Sequence, residues 1–435
     1  MTKRIMVDMS ATILHHGHIR LLKKASEYGD VIVGLTTDEE IFDKKGYQVE
    51  LEFAFRKEML ESVKYVKEVV GTPWQITSTT LDEFKIDLLL HGDDNSNDID
   101  SDRMLILPRT DGVSSSDIRI NAQRSIIQKN NQKLMLTPGP AVILHENIEY
   151  LKPIFGRGDD EYTQMSDAVV EWIKKLSGQD ELVMAQGSAT FALELAAYSF
   201  VSGKVLIVST GYYSDRLEKL LPKGCNIEIC NYENLGRVDG QFDWVLCAYT
   251  ETSIAFKIDL NFVRSKADEF GAKLYVDATG SIGLESHHEL ADVAAFSSCK
   301  GLFGLTGAGF VAYKSNLHPK ATGSFYSNLE TQKNKMTTGP YHAIASLYGV
   351  IEMHNVLKQR VMNSKKLILE KYKDIVRESN QPLLCTYLDG EVKPKDSEIV
   401  LYSPRSELSG SVICHFGEIH TDNINIHNRI DIISH

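Results

Sequence analysis

Twice along its length the chain alternates short, almost wholly apolar runs with amphipathic stretches, and that alternation leaves few folds open. In the N-terminal part "RIMVDMS" and "DVIVGLTT" read as buried strands around the amphipathic "HIRLLKKASEYG". "EFAFRKEMLESVKYV" reads as a second helix, with further strands in "EVVGT", "IDLLLHGDD" and "MLILPRT". Strands apolar on both faces belong to a parallel sheet with helices on both sides. The pattern restarts at Leu136: "YTQMSDAVVEWIKKL" and "GSATFALELAAYSFV" read as helices, and "KVLIVST", "WVLCAY", "KLYVDAT" and "VAAFSSCK" as parallel strands of a larger sheet. Between the two patterns lies the polar, glycine-free run "INAQRSIIQKNNQK", residues 120–133. The expected organisation is α/β throughout: a unit over 1–125, a linker at 126–133, and a second unit over 134–435. The large domain of the second unit extends to about 320, and a smaller α+β lobe fills 321–435. A chain of 435 residues exceeds what one core usually supports, which agrees with this division.

Charge and cysteines exclude several roles. A formal charge of −12 opposes a general nucleic-acid surface, so local basic and hydroxyl groups must do any phosphate binding. The six cysteines form no CxxC and no zinc spacing, as expected of reduced thiols in a cytoplasmic protein. "MTKRIMVDMS" leads straight into a strand, and no run approaches the ~18 apolar residues of a membrane span.

Two motifs at opposite ends of the first unit carry phosphate chemistry. In "HHGH", His15 and His18 stand where the chain turns into a helix, and Gly17 lets the backbone approach a ligand. In "RTDGVSSS", Arg109 and a run of hydroxyls stand at another helix start. With "HGDD" (91–94) at a strand end, this order resembles the HxGH cytidylyltransferases of the glycerol-3-phosphate and phosphonate type, over roughly residues 1–125. The resemblance implies a Rossmann-like nucleotidyltransferase domain. It also implies that His15 and His18 stabilise charge developing at the α-phosphate. Lys45 in the loop "DKKG", with Lys44 as the neighbouring candidate, and Arg56 would hold phosphates; Arg109 and Thr110 would contact nucleotide and phosphate. Ser114 and Ser115 would donate to the triphosphate, Ser10 and Asp94 would complete the nucleotide site, and Mg2+ would accompany CTP. One departure stands out: the family's acidic residue three before the first motif histidine is Thr12 here, which keeps a degenerate, regulatory nucleotide-binding domain open as an alternative.

The second unit carries the parts that pyridoxal phosphate needs. Asp277 ends a strand in "LYVDATGSIG", Lys300 follows another in "AAFSSCKGLFG", and "QGSAT" (186–190) supplies a helix N-terminus for a phosphate. "LTPGP", "GDDEY", "QGSATFALE", "VLIVSTGYYSDR", "YVDATGSIG" and "SSCKGL" resemble, in order, the fold-type I, class V aminotransferases of the 2-aminoethylphosphonate:pyruvate type. That resemblance implies Lys300 as Schiff-base lysine and general acid–base, and Asp277 as partner of the pyridinium nitrogen. Ser188, Ala189 and Thr190 would form the phosphate cup, Tyr213 would stack on the ring, and Thr252 would bond its phenolic oxygen. Thr338 would reach the phosphate of a neighbouring subunit in a homodimer formed through this unit. A cysteine desulfurase would have a histidine where Cys299 stands, and Cys414 in "SVICHFGEI" reads as core. The arginine that clamps the donor's carboxylate in the family is replaced by His415, which cannot make two parallel bonds, so the amino donor stays open with alanine as first candidate.

Together the resemblances imply consecutive steps: phosphonoacetaldehyde is transaminated to 2-aminoethylphosphonate, and CMP is transferred to it from CTP. The same pair of activities on a different small phosphonate is the other alternative.

Overall fold

Ile5, Met6 and Val7 have no solvent exposure, because the strand that carries them is central in its sheet. The computed structural model describes residues 2–93, 96–108, 110, 112–130, 133–151, 155–156, 158–377 and 380–434. In the first unit β1 (Arg4–Met9) leads through α1 (His16–Ala25) to β2 (Asp30–Thr36). Then come α2 (Asp38–Lys45), α3 (Phe53–Glu61), β3 (Val66–Thr72), α4 (Ser78–Glu83), β4 (Leu88–Gly92) and β5 (Met104–Leu107). All five strands are parallel, in the order β3-β2-β1-β4-β5. The winding direction reverses between β1 and β4, and ligands of such sheets bind where it does, beyond the strands' C-terminal ends.

Helix α5 (Ser115–Asn130) takes up most of the polar run offered as a linker. The chain divides into two compact units, Met1–Ser125 and Ile126–His435, so the division falls inside this helix.

The second unit begins with β6 (Leu134–Leu136), α6 (Glu146–Glu149) and α7 (Asp160–Ser177). Asp159 caps α7 by accepting from the Tyr162 N–H (3.2 Å), and Gly178 ends it at φ +61°. There follow β7 (Glu181–Gln186), α8 (Ala189–Phe200), β8 (Lys204–Ser209), α9 (Tyr212–Asp215), β9 (Asn226–Asn231) and β10 (Trp244–Ala248). Two-residue strands β11 (Thr250–Glu251) and β12 (Phe256–Lys257) precede α10 (Leu260–Glu269), β13 (Lys273–Asp277), β14 (Val293–Ser297) and β15 (Ala308–Tyr313). Seven strands form one sheet in the order β7-β15-β14-β13-β10-β8-β9. Only β15 runs against its neighbours, β14 and β7; the other described pairings are parallel. The C-terminal ends of β7, β14, β13, β10 and β8 therefore share one edge. Every residue of β10 and β14 is buried, as expected of strands covered on both faces.

The C-terminal lobe carries α11 (Leu329–Lys333), α12 (Tyr341–Val350) and α13 (His354–Lys371), the last two made from one amphipathic run. Short strands β16 (Cys385–Leu388), β17 (Gly390–Pro394), β18 (Ile399–Leu401) and β19 (Ser411–Cys414) lead to α14 (Ile426–Arg429) and β20 (Ile430–Ser434). They pair as β16-β19, β17-β20 and β18-β6. Among the described residues no helix is long and apolar enough to cross a membrane.

Candidate active sites in the two units

At the switch point of the first sheet lies a cleft of about 630 Å3. His15 caps α1: its Nδ1 accepts from the Gly17 N–H (3.2 Å), while His18 Nδ1 accepts from the His15 N–H (3.3 Å). Backbone N–H groups can only donate, so both neutral rings carry their proton on Nε2. The two ring centroids lie 3.9 Å apart, and His15 lines the cleft. The helix cap thus fixes the tautomer of both histidines before any ligand arrives.

Ser10, Lys45 and Thr110 also line this cleft. Lys45 is the last residue of α2 rather than a loop residue; Gly46 follows at φ +70°, and the ammonium lies 5.2 Å from the Trp74 ring centre. Lys44, the neighbouring candidate, is not in the lining. Ser114 and Ser115 do stand at the start of α5, but their hydroxyls are engaged: Ser114 donates to Asp117 (2.7 Å) and Ser115 to the Ile13 carbonyl (3.3 Å). Asp94 and Arg109 lie outside the described residues.

Arg56 requires a correction. Its side chain is 1% exposed and absent from the cleft wall. The guanidinium donates to the carbonyls of Leu51 (3.0 Å), Thr36 (3.0 Å) and Ser10, and to Asp38 (2.5 Å). A buried guanidinium engaged by four protein acceptors braces the loop after β1 and stands outside the cleft where a phosphate would bind. Thr12 is equally integrated: it is 1% exposed and accepts from Arg119 (3.0 Å), whose charge is matched by Glu50. Asp8, which the motif reading missed, lines the cleft from the end of β1. No motif includes it; its signal was only an acidic residue closing an apolar strand.

The second site is a pocket of about 380 Å3 at the shared C-terminal edge of the larger sheet. Asp277, Lys300, Tyr213, Thr252 and the Ser188–Ala189–Thr190 start of α8 all line it. Asp277 ends β13, is 4% exposed, and accepts from the Thr279 N–H (2.9 Å). Lys300 follows β14, and its Nζ lies 5.8 Å from the centre of the Tyr213 ring. The turn behind it is tight. A Cβ at Gly301 would stand 2.2 Å from the Ile282 carbonyl, and His354 on α13 donates to the Gly301 carbonyl (2.9 Å). Ser188 caps α8 by accepting from the Phe191 N–H (3.4 Å).

Two residues of this site escaped the motif reading. Arg216 donates to Asp277 (3.3 Å), and its guanidinium centre lies 5.1 Å from the Tyr213 ring centre. Glu251, 1% exposed, accepts from the backbone N–H groups of Tyr213 (2.9 Å) and Ser214 (3.2 Å) and so sets where the Tyr213 ring stands. Burial raises the Glu251 pKa above the ordinary carboxylate range. Arg216 closes the quoted "VLIVSTGYYSDR" and Glu251 stands next to Thr252, but only the fold shows the contacts.

The pocket fits pyridoxal phosphate on its own chemistry. Arg216 Nε, Thr250 Oγ1 and Thr279 Oγ1 are buried in its lining with no hydrogen-bond partner among the described residues. Buried polar atoms without partners are costly, and three in one wall point to a polar occupant. A lysine, a carboxylate, an aromatic face and a helix N-terminus in the same wall are the groups this cofactor takes. Thr338 is exposed and lies outside the pocket wall of this chain. His415 is 1% exposed, bonded to Thr386 (2.8 Å), and driven by burial well below the ordinary histidine pKa, so it belongs to the core and is no carboxylate clamp. Cys414 is likewise fully buried, opposite Cys385 in the β16–β19 pair.

Residues 10–124 match the cytidylyltransferase-like family. That part is 36% identical over 125 residues to the glycerol-3-phosphate cytidylyltransferase of Staphylococcus aureus, spanning 27% of this chain and 92% of that protein. Elsewhere the chain is 26% identical over 250 residues to the 2-aminoethylphosphonate–pyruvate transaminase of Pseudomonas aeruginosa, spanning 52% of this chain and 67% of that protein. Its fold is similar to that of the ureidoglycine–glyoxylate aminotransferase of Bacillus subtilis, with a TM-score of 0.55 at 16% identity over 66% of this chain and 89% of that one. Through its first unit the chain thus belongs to the cytidylyltransferase-like family, and behind that unit it carries the fold of the fold-type I aminotransferases.

Proposed function

We propose that the chain is a bifunctional enzyme of phosphonate biosynthesis, which transaminates phosphonoacetaldehyde to 2-aminoethylphosphonate and transfers CMP from CTP to that product. What carries this reading is the conjunction, on one chain, of a phosphate-binding cleft with a lysine–aspartate pocket whose sequence relatives include 2-aminoethylphosphonate–pyruvate transaminases.

In the first unit a phosphonate oxygen of the acceptor attacks the α-phosphorus of CTP, and pyrophosphate leaves from the opposite side. His15 and His18, whose Nδ1 atoms are engaged in the cap, donate from Nε2 to oxygens on which charge grows during that attack. Lys45, at the end of α2, neutralises phosphate charge from the cleft wall. Among the described residues no three metal-ligating side chains gather, so Mg2+ would enter with the triphosphate.

In the second unit bound pyridoxal phosphate supplies the electron sink that makes amino transfer possible. Lys300 would hold it covalently and, once displaced by the amino donor, would move protons with its freed amine. Asp277 would keep the pyridine nitrogen protonated, and the start of α8 would take the phosphate. Tyr213, positioned by Glu251, covers the ring. A homodimer in which Thr338 serves the partner's site, and alanine as amino donor, complete the proposal. The test supplies CTP with a panel of phosphonates and phosphate monoesters and reads pyrophosphate release. A protein that binds CTP without releasing pyrophosphate on any acceptor would instead carry a regulatory first unit.

A further inference from the structure

The pocket of the second unit has to hold a phosphate as well as a ring, and its hydroxyls and helix start do not balance the charge of one. A phosphate monoester carries about −1.5 to −2 charges at neutral pH. Among the described lining residues the charged side chains are Asp277, Lys300 and Arg216. The N-terminus of α8 offers the equivalent of roughly half a positive charge, and Asp277 adds a negative one to the same wall. The amine of Lys300 would be committed to the covalent link, which leaves Arg216 as the further cation among the described residues of the wall.

The position of Arg216 suits that charge. It stands at the C-terminal cap of α9, and its side chain is 20% exposed. The guanidinium reaches from the end of β13 to the start of α8: Nη2 donates to Asp277 Oδ2 (3.3 Å) and Nη1 to Thr190 Oγ1 (3.4 Å). Both bonds are longer than the ~2.7–2.9 Å of a well-formed charge-assisted pair. Nε is buried and has no partner among the described residues. An arginine whose sole task was to neutralise Asp277 would close two parallel bonds on that carboxylate. Here the other carboxylate oxygen accepts from the Thr279 N–H (2.9 Å), and the arginine keeps a donor unspent beside the cup.

We propose that Arg216 is the cation of the phosphate cup, joins the cup to Asp277, and makes the pocket select a phosphorylated ring over the bare alcohol. The inference rests on pyridoxal phosphate as the cofactor of this pocket. Ser188 and Thr190 place the phosphate with hydroxyls, and Arg216 supplies the charge that hydroxyls lack. A ring without the phosphate leaves the Nε donor buried and unserved, a cost that falls on unphosphorylated analogues alone.

The experiment uses the full-length protein freed of cofactor and measures the dissociation constants of pyridoxal 5′-phosphate and of pyridoxal by fluorescence titration. The wild type should bind the phosphate ester at least about a hundredfold more tightly. Arg216→Met should reduce that ratio by at least about tenfold, with the constant for pyridoxal staying within about threefold. Arg216→Lys keeps a charge beside Asp277 and serves where the methionine variant does not fold. It should reduce the ratio by a smaller factor, because an ammonium has no fork. A parallel loss of both ligands, or an unchanged ratio in either variant, would assign Arg216 to Asp277 or to folding and overturn the inference, while the cofactor would stand. A wild type that binds the two compounds alike overturns it without any variant. A wild type that binds neither removes the cofactor from the pocket and this inference with it.

Discussion

The two sites present their polar groups in different ways. In the first unit the polar groups at the helix starts are already tied into protein: His15, which lines the cleft, and His18 beside it into the cap of α1, Ser114 into the cap of α5. In the second unit the wall is unfinished, with Arg216 Nε, Thr250 Oγ1 and Thr279 Oγ1 buried and unpartnered among the described residues. Substrates that come and go are best met by groups that need no rearrangement, whereas a resident cofactor can be part of the wall. Acidity marks the second unit, where burial depresses the pKa values of His288, His354, His415 and His420.

The strongest way to break this contrast is Lys300→Ala. It should cut transamination below about one thousandth of wild type and abolish the visible absorbance of bound cofactor. Cytidylyl transfer should stay within about twofold, since the two chemistries share no residue. A protein that never takes up pyridoxal phosphate would remove the second site from the account.

Next in size is Arg56→Met. Removing this buried guanidinium strands Asp38 and three carbonyls and should cost the first unit about 3 kcal/mol or more, read by hydrogen exchange of the β1 amides. Unchanged exchange with a raised KM for CTP would make Arg56 a phosphate ligand after all.

Acid should separate the units. Burial lowers the His288 pKa from 6.5 to about 4. The fold favours the neutral ring, so this contribution is complete above about 6.5 and fades as pH falls toward the folded-state value. His288 alone should remove on the order of 3 kcal/mol from the second unit over that range. Denaturant melts from pH 7 to pH 4 should show the second unit weakening first; equal loss in both units would contradict it.

Smallest, and most specific, are His15→Ala and His18→Ala. Each should lower cytidylyl transfer by about 10²-fold or more, the scale for losing one preorganised donor to a developing charge. CTP affinity should fall much less; an equal fall would make the histidines ground-state binders.

How much of this could be read in the amino-acid order depended on the range of the interactions. Strands β1, β2, β8, β10, β13 and β14 announce themselves as apolar runs, and Lys300, Asp277 and the α8 start lie next to strand ends where short motifs mark them. The reversal of β15 did not show, because an apolar strand reads alike in either direction. Arg56 was misassigned because a resemblance places a basic residue in the chain without showing whether it faces the ligand or, as here, carbonyls from Ser10, Thr36 and Leu51. Asp8 and His91 lie 83 residues apart and meet only because β4 inserts beside β1. Pairings of that kind are set by topology, and no local spacing encodes them.

The central claim is that the two units serve one intermediate. Purified protein should be given phosphonoacetaldehyde, an amino donor and CTP, with product formation followed alongside kcat/KM for isolated acceptors. The account predicts that the single chain forms CMP-2-aminoethylphosphonate, and that 2-aminoethylphosphonate exceeds ethylphosphonate and glycerol 3-phosphate by at least about tenfold in kcat/KM. A first unit that prefers glycerol 3-phosphate, with no CMP-aminophosphonate formed, would contradict it and leave two unrelated activities on one chain.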